Sequence, residues 1–128
     1  MREWCIMSAN AKYDLEERLI DFSVRIIEVV ESLPHTRTAN HVAGQLVRCG
    51  TSPASNYAEA LSAESRADFI HKMKIALKEL RETRVWLRII EHKPLTKMLE
   101  RLTPVLAECS ELVLIFAASI KTAHQNKA

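Results

Sequence analysis

Glycine and proline are both scarce in this 128-residue chain, which contains two glycines and four prolines. An all-β fold depends on many tight turns, and these two residue types supply most of them. Their scarcity argues against such a fold and favours long, uninterrupted helices. Aromatic residues make up only 5% of the chain. Few rings are therefore available to stack on nucleobases, and base-specific recognition is not predicted.

Cysteine and histidine form no pattern that carries chemistry. Cys5, Cys49 and Cys109 are widely spaced, odd in number and without a CxxC motif, so we expect buried free thiols rather than disulfides or a zinc site. The histidines show no HExxH spacing, and the closest match to half of a di-iron site is the single pair Asp68 and His71. A glycine-rich phosphate loop is also missing. We predict no catalytic residue, no metal and no cofactor, and therefore a protein that is not an enzyme.

Long apolar runs are missing from the start of the chain. Residues 1–13 contain no segment long enough for a signal peptide or a membrane span. We therefore predict a cytoplasmic protein that does not associate with membranes. The length suits one domain, which we divide into a flexible N-terminal segment at 1–13, a helical bundle at 14–122 and a C-terminal tail at 123–128.

Apolar residues recur in alternating steps of three and four, the spacing that aligns side chains on one face of a helix. The first predicted helix, which ends at Pro34, has the row Leu15, Leu19, Phe22, Ile26, Val29 and Leu33. The second, capped by Thr36 or Thr38, has Ala39, Val42, Leu46, Cys49, Pro53, Asn56, Ala60 and Ala63. The third, opened by Ser65 and closed by Pro94, has Phe69, Met73, Ala76, Leu80, Thr83, Leu87 and Ile90. The fourth has Leu95, Leu99, Leu102, Leu106, Cys109, Val113, Phe116 and Ile120.

Only short connections separate these helices, so consecutive helices are expected to lie antiparallel. The predicted fold is all-α, an up-down-up-down four-helix bundle. Within the second helix, the run from Gly50 to Pro53 is expected to kink or break the element, because Pro53 lacks an amide hydrogen and crowds the preceding turn.

The third and fourth helices carry apolar side chains outside their core rows, which suggests a second packing surface. We expect this surplus to mediate self-association into a ring-like homo-oligomer. The predicted oligomer interface consists of Ile75, Trp86, Ile89, Met98, Val105 and Leu112. The alternative is that these wide faces simply pack against a wide core within one subunit.

Positive charge is concentrated in the third quarter of the chain. Residues 65–94 carry eight Lys and Arg against four Asp and Glu, whereas residues 1–33 carry four against seven. A helical wheel places six of the cations in one arc, here called the basic face: Arg66, Lys74, Lys78, Arg81, Arg84 and Arg88. Such an arc is either an ordinary solvated surface or a phosphate-binding stripe. In an oligomer the repeated arcs would strengthen the local field, so we predict nucleic-acid binding driven by charge and shape.

A segment in the second helix resembles a known signature. Residues 48–60 read RCGTSPASNYAEA, which is similar to the R-S-G-T-S-x-x-A-N-Y-x-E-A motif of four-helix-bundle proteins encoded in 23S rRNA intervening sequences. The resemblance covers about residues 20–122, with Cys49 and Pro53 as departures. Within it we interpret Arg48, Gly50, Asn56 and Glu59 as structural: Asn56 fixes helix register on the core row, and Arg48, joined by Glu59, bonds to carbonyl groups opened by the kink.

The resemblance implies a bundle that assembles as a homopentameric ring. A related branch, the accessory variability determinant of diversity-generating retroelements, is a basic pentamer that binds nucleic acid and works with a reverse transcriptase. We therefore expect a non-enzymatic homo-oligomeric scaffold that binds RNA or DNA non-specifically, with RNA favoured. The alternative is a protein-interaction module that docks a partner such as a reverse transcriptase without a direct role in nucleic-acid binding.

Overall fold

The computed structural model describes residues 9–125, with side chains from residue 14 onward, and this part of the chain is all-α. Its helices are α1 (Ala9–Glu31), α2 (Arg37–Leu61), α3 (Arg66–His92) and α4 (Leu99–Gln125). α1 begins inside the segment that we predicted to be flexible, and α4 continues into the predicted tail. The remainder of both terminal segments, including Cys5, lies outside the described residues.

The helices pack in a cyclic order in which α1 and α3 each contact α2 and α4. Ion pairs show the helix directions. Arg101, near the start of α4, reaches Glu28, near the end of α1, at 3.7 Å. Glu59, near the end of α2, likewise pairs with Lys72, near the start of α3, at 3.2 Å. Neighbouring helices are therefore antiparallel, as expected for a four-helix bundle.

The core rows predicted for α1 and α3 are confirmed, since every residue in them is buried. Phe22, Phe69 and Leu80 are among the largest side chains with almost no exposed surface. Each fully buried side chain of this size contributes about 1.5–3 kcal/mol to stability. The start of α3 is also confirmed, because the Ser65 hydroxyl accepts a hydrogen bond from the Asp68 amide at 3.0 Å.

The predicted break in α2 is wrong, because α2 runs without interruption through Pro53. Thr36 is its cap and accepts a hydrogen bond from the Ala39 amide at 3.1 Å. In the second half of α2, Tyr57 is fully enclosed in the core, whereas its neighbour Asn56, which we predicted to be a core residue, is only half-buried. Packing of both halves of α2 against one core offsets the amide hydrogen bond that Pro53 cannot make.

The core row of α4 differs in part from the prediction, by a rotation about the helix axis. Four predicted members are buried and confirmed: Leu102, Cys109, Phe116 and Ile120. Val105 and Leu112 are buried in the subunit core, while Leu106 and Val113 are half-buried at its edge. α4 offers apolar residues in both rows, so spacing alone could not decide between them. In the observed orientation, Arg18 of α1 donates hydrogen bonds to both oxygens of the Glu108 carboxylate, at 3.0 and 2.7 Å, on the side of α4 that faces α1.

α4 also has the length and apolar composition that would allow a helix to cross a membrane. The core helix of a soluble bundle has the same composition, and α4 buries one face among the other three helices. The expectation that this protein does not associate with membranes stays a prediction.

Candidate nucleic-acid interface

The basic face lies on the side of α3 that borders α4. Its members recur at helical spacing, so the fold of α3 alone brings them to one surface. Arg66 is half-buried, and the other five cations, Lys74, Lys78, Arg81, Arg84 and Arg88, are exposed. The sequence therefore located the cations correctly on one helix, and the structure adds the neighbouring helix that borders them.

Two adjoining depressions run along the α3–α4 boundary and share Lys74. One measures about 390 Å³ and has Leu77, Ala117 and Ile120 as its apolar floor. The other measures about 480 Å³ and lies toward the start of α3. We call the two together the cationic groove, and its basic lining residues are Arg66, His71, Lys74, Lys78, Arg81 and His124.

No acidic side chain is among the described residues that line the cationic groove. His71 from α3 and His124 from α4 join the predicted cations there. Sequence reasoning missed both histidines as part of this surface, because they are distant in sequence and meet only when α4 returns antiparallel to α3. The available signal was the predicted antiparallel arrangement, which places the end of α4 beside the start of α3.

The acidic side of α3 faces α2 and is matched there by a cation. Arg48 of α2 donates to Glu79 at 3.1 Å and to both carboxylate oxygens of Glu82 at 2.9 Å. Arg48 therefore links α2 to α3, and the prediction that it binds carbonyl groups at a kink is wrong. Glu59 also belongs to a separate contact, with Lys72. Arg48 thus engages two carboxylates of α3 on the side that faces α2, away from the cationic groove.

The predicted interface residues fall into three environments. Val105 and Leu112 lie in the subunit core, so the expectation that they face a second subunit is wrong. Ile75 and Met98 are half-buried. Trp86 is also half-buried, and its ring meets that of His41 on α2 edge to face with centroids 5.8 Å apart. Ile89 remains 40% exposed.

An exposed apolar row on α1 was missed by the sequence reasoning. Ile20, Val24 and Ile27 are 45%, 49% and 40% exposed, and they point away from the buried row of the same helix. We call these three residues the α1 outer stripe. Their spacing of four and three was already visible in the sequence, but the stronger core row on the same helix accounted for the periodicity.

Comparison with known proteins establishes the family. A family model described as 23S rRNA-intervening sequence protein matches residues 11–117. The chain belongs to this family. The resemblance carried by the signature in α2 is thereby confirmed, while no curated protein matches the chain significantly.

A solved structure of the same fold is similar over most of the chain. It is a protein of unknown function from the S23 ribosomal protein family of Bacteroides thetaiotaomicron, 32% identical, with a TM-score of 0.76. The similarity covers 84% of this chain and 98% of that chain. Membership in the 23S rRNA-intervening sequence protein family thus comes with the four-helix fold, and the activity has to be argued from the surface.

Gly50 is the signature residue with the clearest structural role in this 23S rRNA-intervening sequence protein. A Cβ atom at this position would lie 2.7 Å from Cγ2 and 2.9 Å from Cγ1 of Ile26. None of the described residues, glycines included, has a positive φ angle, so Gly50 provides space rather than an unusual backbone conformation. It lets α1 and α2 approach closely. Asn56, half-buried beside Tyr57, does not occupy the core position that we predicted for it.

Cys49 and Cys109 are buried free thiols, as predicted. Burial raises the pKa of Cys109 to about 12, against a smaller opposite influence of Arg84. Burial also raises the pKa of Cys49, although its hydrogen bond with Thr83 opposes this shift. Among residues 14–125, no three His, Cys, Asp or Glu side chains are grouped to hold a metal ion. The absence of a metal or cofactor stays a prediction.

These two thiols are expected to react slowly in the folded protein. Their raised pKa values leave only a small fraction of each as thiolate at pH 8, and solvent cannot reach them. The measurement is the reaction of a Cys5→Ser variant with Ellman's reagent at pH 8, with and without urea. Both thiols should react rapidly only in urea. A fast reaction of either thiol under native conditions would contradict the buried placement.

Proposed function

We propose that this protein is a non-enzymatic homo-oligomeric scaffold that binds nucleic acid, RNA foremost, through the cationic groove. The supporting observation is the composition of that groove: cations and imidazoles from α3 and α4 around an apolar floor, with no acidic side chain among its described lining residues. A solvated helix face would present its charges on a convex surface. Here the charges border two shallow, open depressions between α3 and α4, along which a phosphate backbone can lie.

Affinity at such a site comes mainly from phosphate contacts, which release counterions and carry no sequence information. The formal net charge of the chain is only +2, so the effect depends on where charge lies rather than on its total. Arg48 and Lys72 pair with carboxylates at the α2–α3 boundary, on the side of α3 away from the groove. Assembly of several subunits would repeat the groove and raise the local field further.

The test replaces three exposed groove cations together, as Lys74→Gln, Lys78→Gln and Arg81→Gln. Binding of a labelled single-stranded RNA of mixed sequence is followed by fluorescence anisotropy at several salt concentrations. Loss of three phosphate contacts should reduce the slope of log K against log salt by about 2, since each contact contributes about 0.7 for single strands. We expect an affinity loss of about tenfold or more at low salt.

The matched control removes the same charge elsewhere, as Arg37→Gln, Lys93→Gln and Lys97→Gln, three exposed positions outside the groove. This variant should retain most of the affinity and the salt slope. Equal affinity of the groove variant and the unaltered protein would refute the proposal. So would equal losses in the two triple variants, because binding would then depend on net charge alone.

A further inference from the structure

The α1 outer stripe is an apolar row without a partner in the described part of the subunit. Its three large branched side chains stand at positions i, i+4 and i+7, the spacing by which one helix packs along another. They lie opposite the buried row formed by residues such as Leu19 and Ile26. Within the subunit, the buried row of α1 therefore packs against the other helices, and the α1 outer stripe is left exposed to water.

Acidic residues border the α1 outer stripe. Glu17 precedes Ile20 by three positions, Asp21 precedes Val24 by three, and Glu31 follows Ile27 by four, so each is a surface neighbour of the stripe. Two such stripes packed against each other would bring carboxylates together. A symmetric α1–α1 contact is therefore disfavoured, and the best partner is an apolar surface bordered by cations.

The C-terminal half of α3 offers such a surface. Val85 is 56% exposed and Ile89 is 40% exposed, and the two are one helical turn apart. Arg81 and Arg88 are the neighbours of Val85 at four positions before and three positions after it, and both are exposed. Glu82, three positions before Val85, is already bound to Arg48. We call Val85 and Ile89 the α3 outer pair. It lies beyond the end of the cationic groove, which Arg81 closes.

We propose that the α1 outer stripe of one copy packs against the α3 outer pair of a second copy, with the acids of α1 facing Arg81 and Arg88. The inference rests on the homo-oligomer in the proposed function and names its contact surfaces. α1 and α3 are diagonal in the bundle, so each copy presents one outer face of each kind. The contact is heterologous, the type that builds rings or filaments rather than a two-fold dimer. Most of the cationic groove stays open to nucleic acid.

The first experiment measures solution mass by light scattering after size-exclusion chromatography, without nucleic acid. The unaltered protein should form an oligomer, and Val24→Asp in the α1 outer stripe or Val85→Asp in the α3 outer pair should each shift it to the subunit mass of 14.6 kDa. Leu114→Asp is the matched control, because Leu114 on α4 is, among residues 14–125, the most exposed large apolar side chain, at 70%, and belongs to neither face. Its mass should equal that of the unaltered protein.

The second experiment mixes the Val24→Asp and Val85→Asp variants. Each retains the face that the other lacks, so a heterologous contact should restore one intact interface per pair and give a species of twice the subunit mass. A symmetric contact cannot be restored in this way. The mixture also controls for folding, since unfolded variants would not pair.

Three results would overturn this inference: a monomeric unaltered protein at high concentration, oligomeric Val24→Asp and Val85→Asp variants, or monomeric variants that fail to pair. Loss of the oligomer in Leu114→Asp would also count against it, because the interface would then include α4. The RNA measurement reports separately on the groove. Retained RNA affinity in a monomeric α1 variant leaves nucleic-acid binding standing even if the interface is located elsewhere.

Discussion

Replacing Tyr57 by alanine is expected to lower the free energy of unfolding by about 3–5 kcal/mol, the range for removing a large buried aromatic side chain. Tyr57 of α2 is completely enclosed, and its ring meets Phe116 of α4 edge to face with centroids 5.9 Å apart. α2 and α4 are diagonal in the bundle, so this pair crosses the centre of the core. The cavity left by alanine cannot close without moving helices that other contacts hold in place.

Urea unfolding followed by circular dichroism measures this loss. Tyr57→Phe is the matched control, because it keeps the ring and removes only the hydroxyl, which should cost about 0.5–1.5 kcal/mol. A loss below about 1 kcal/mol for Tyr57→Ala would mean that the core at this point is loosely packed, contrary to the enclosure seen here.

Tyr57 also shows where periodicity stops being informative. The spacing rule placed Asn56 on the core row, since rows of three and four can pass through either of two adjacent residues. The large ring is the better core residue of the two, because its burial removes far more apolar surface from water. The same ambiguity affected α4, where Val105 competes with Leu106 and both are apolar. In α1 and α3, charged or polar residues interrupt every alternative row, so only one row was continuous and the predictions there were confirmed.

Only the part of the candidate site that lies on a single helix could be predicted from the sequence. The basic face follows from the spacing of cations on α3, which needs no knowledge of the neighbouring helices. The groove needs Ala117 and His124 of α4, whose positions depend on the rotation of α4 about its axis. That rotation is associated with the contact of Arg18 with Glu108, a pair separated by 90 positions. No local pattern marks such a pair.

The α2 signature is explained largely by contacts between helices. Arg48 and Glu59 each pair with side chains of α3, and Tyr57 reaches α4. Gly50 admits α1. One short segment thus touches all three other helices. These contacts explain the residue pattern of the signature without any catalytic role, as expected for the scaffold that we propose. The signature thus builds the bundle, whereas the functional surface that we propose is the cationic groove.

The close approach of Gly50 to α1 gives the second large effect. Gly50→Ala is expected to lower the free energy of unfolding by about 1–3 kcal/mol through overpacking. The added methyl group would meet Cγ1 and Cγ2 of Ile26, which are attached directly to its branched Cβ and cannot swing away as the end of a flexible chain would. Relief requires α1 and α2 to separate. Alanine ordinarily stabilises a helix by up to about 1 kcal/mol relative to glycine, so the sign of the change is itself informative.

Gly44 provides the matched control within the same helix. It is exposed, and a Cβ atom there would meet no atom within 4 Å, so Gly44→Ala should raise the free energy of unfolding by about 0.5–1 kcal/mol. A double-mutant cycle with Ile26→Ala completes the argument. Because Ile26→Ala removes both clashing atoms, Gly50→Ala should cost much less in that background than alone. If Gly50→Ala instead stabilised the protein as much as Gly44→Ala does, α1 and α2 would have to lie farther apart than this packing places them.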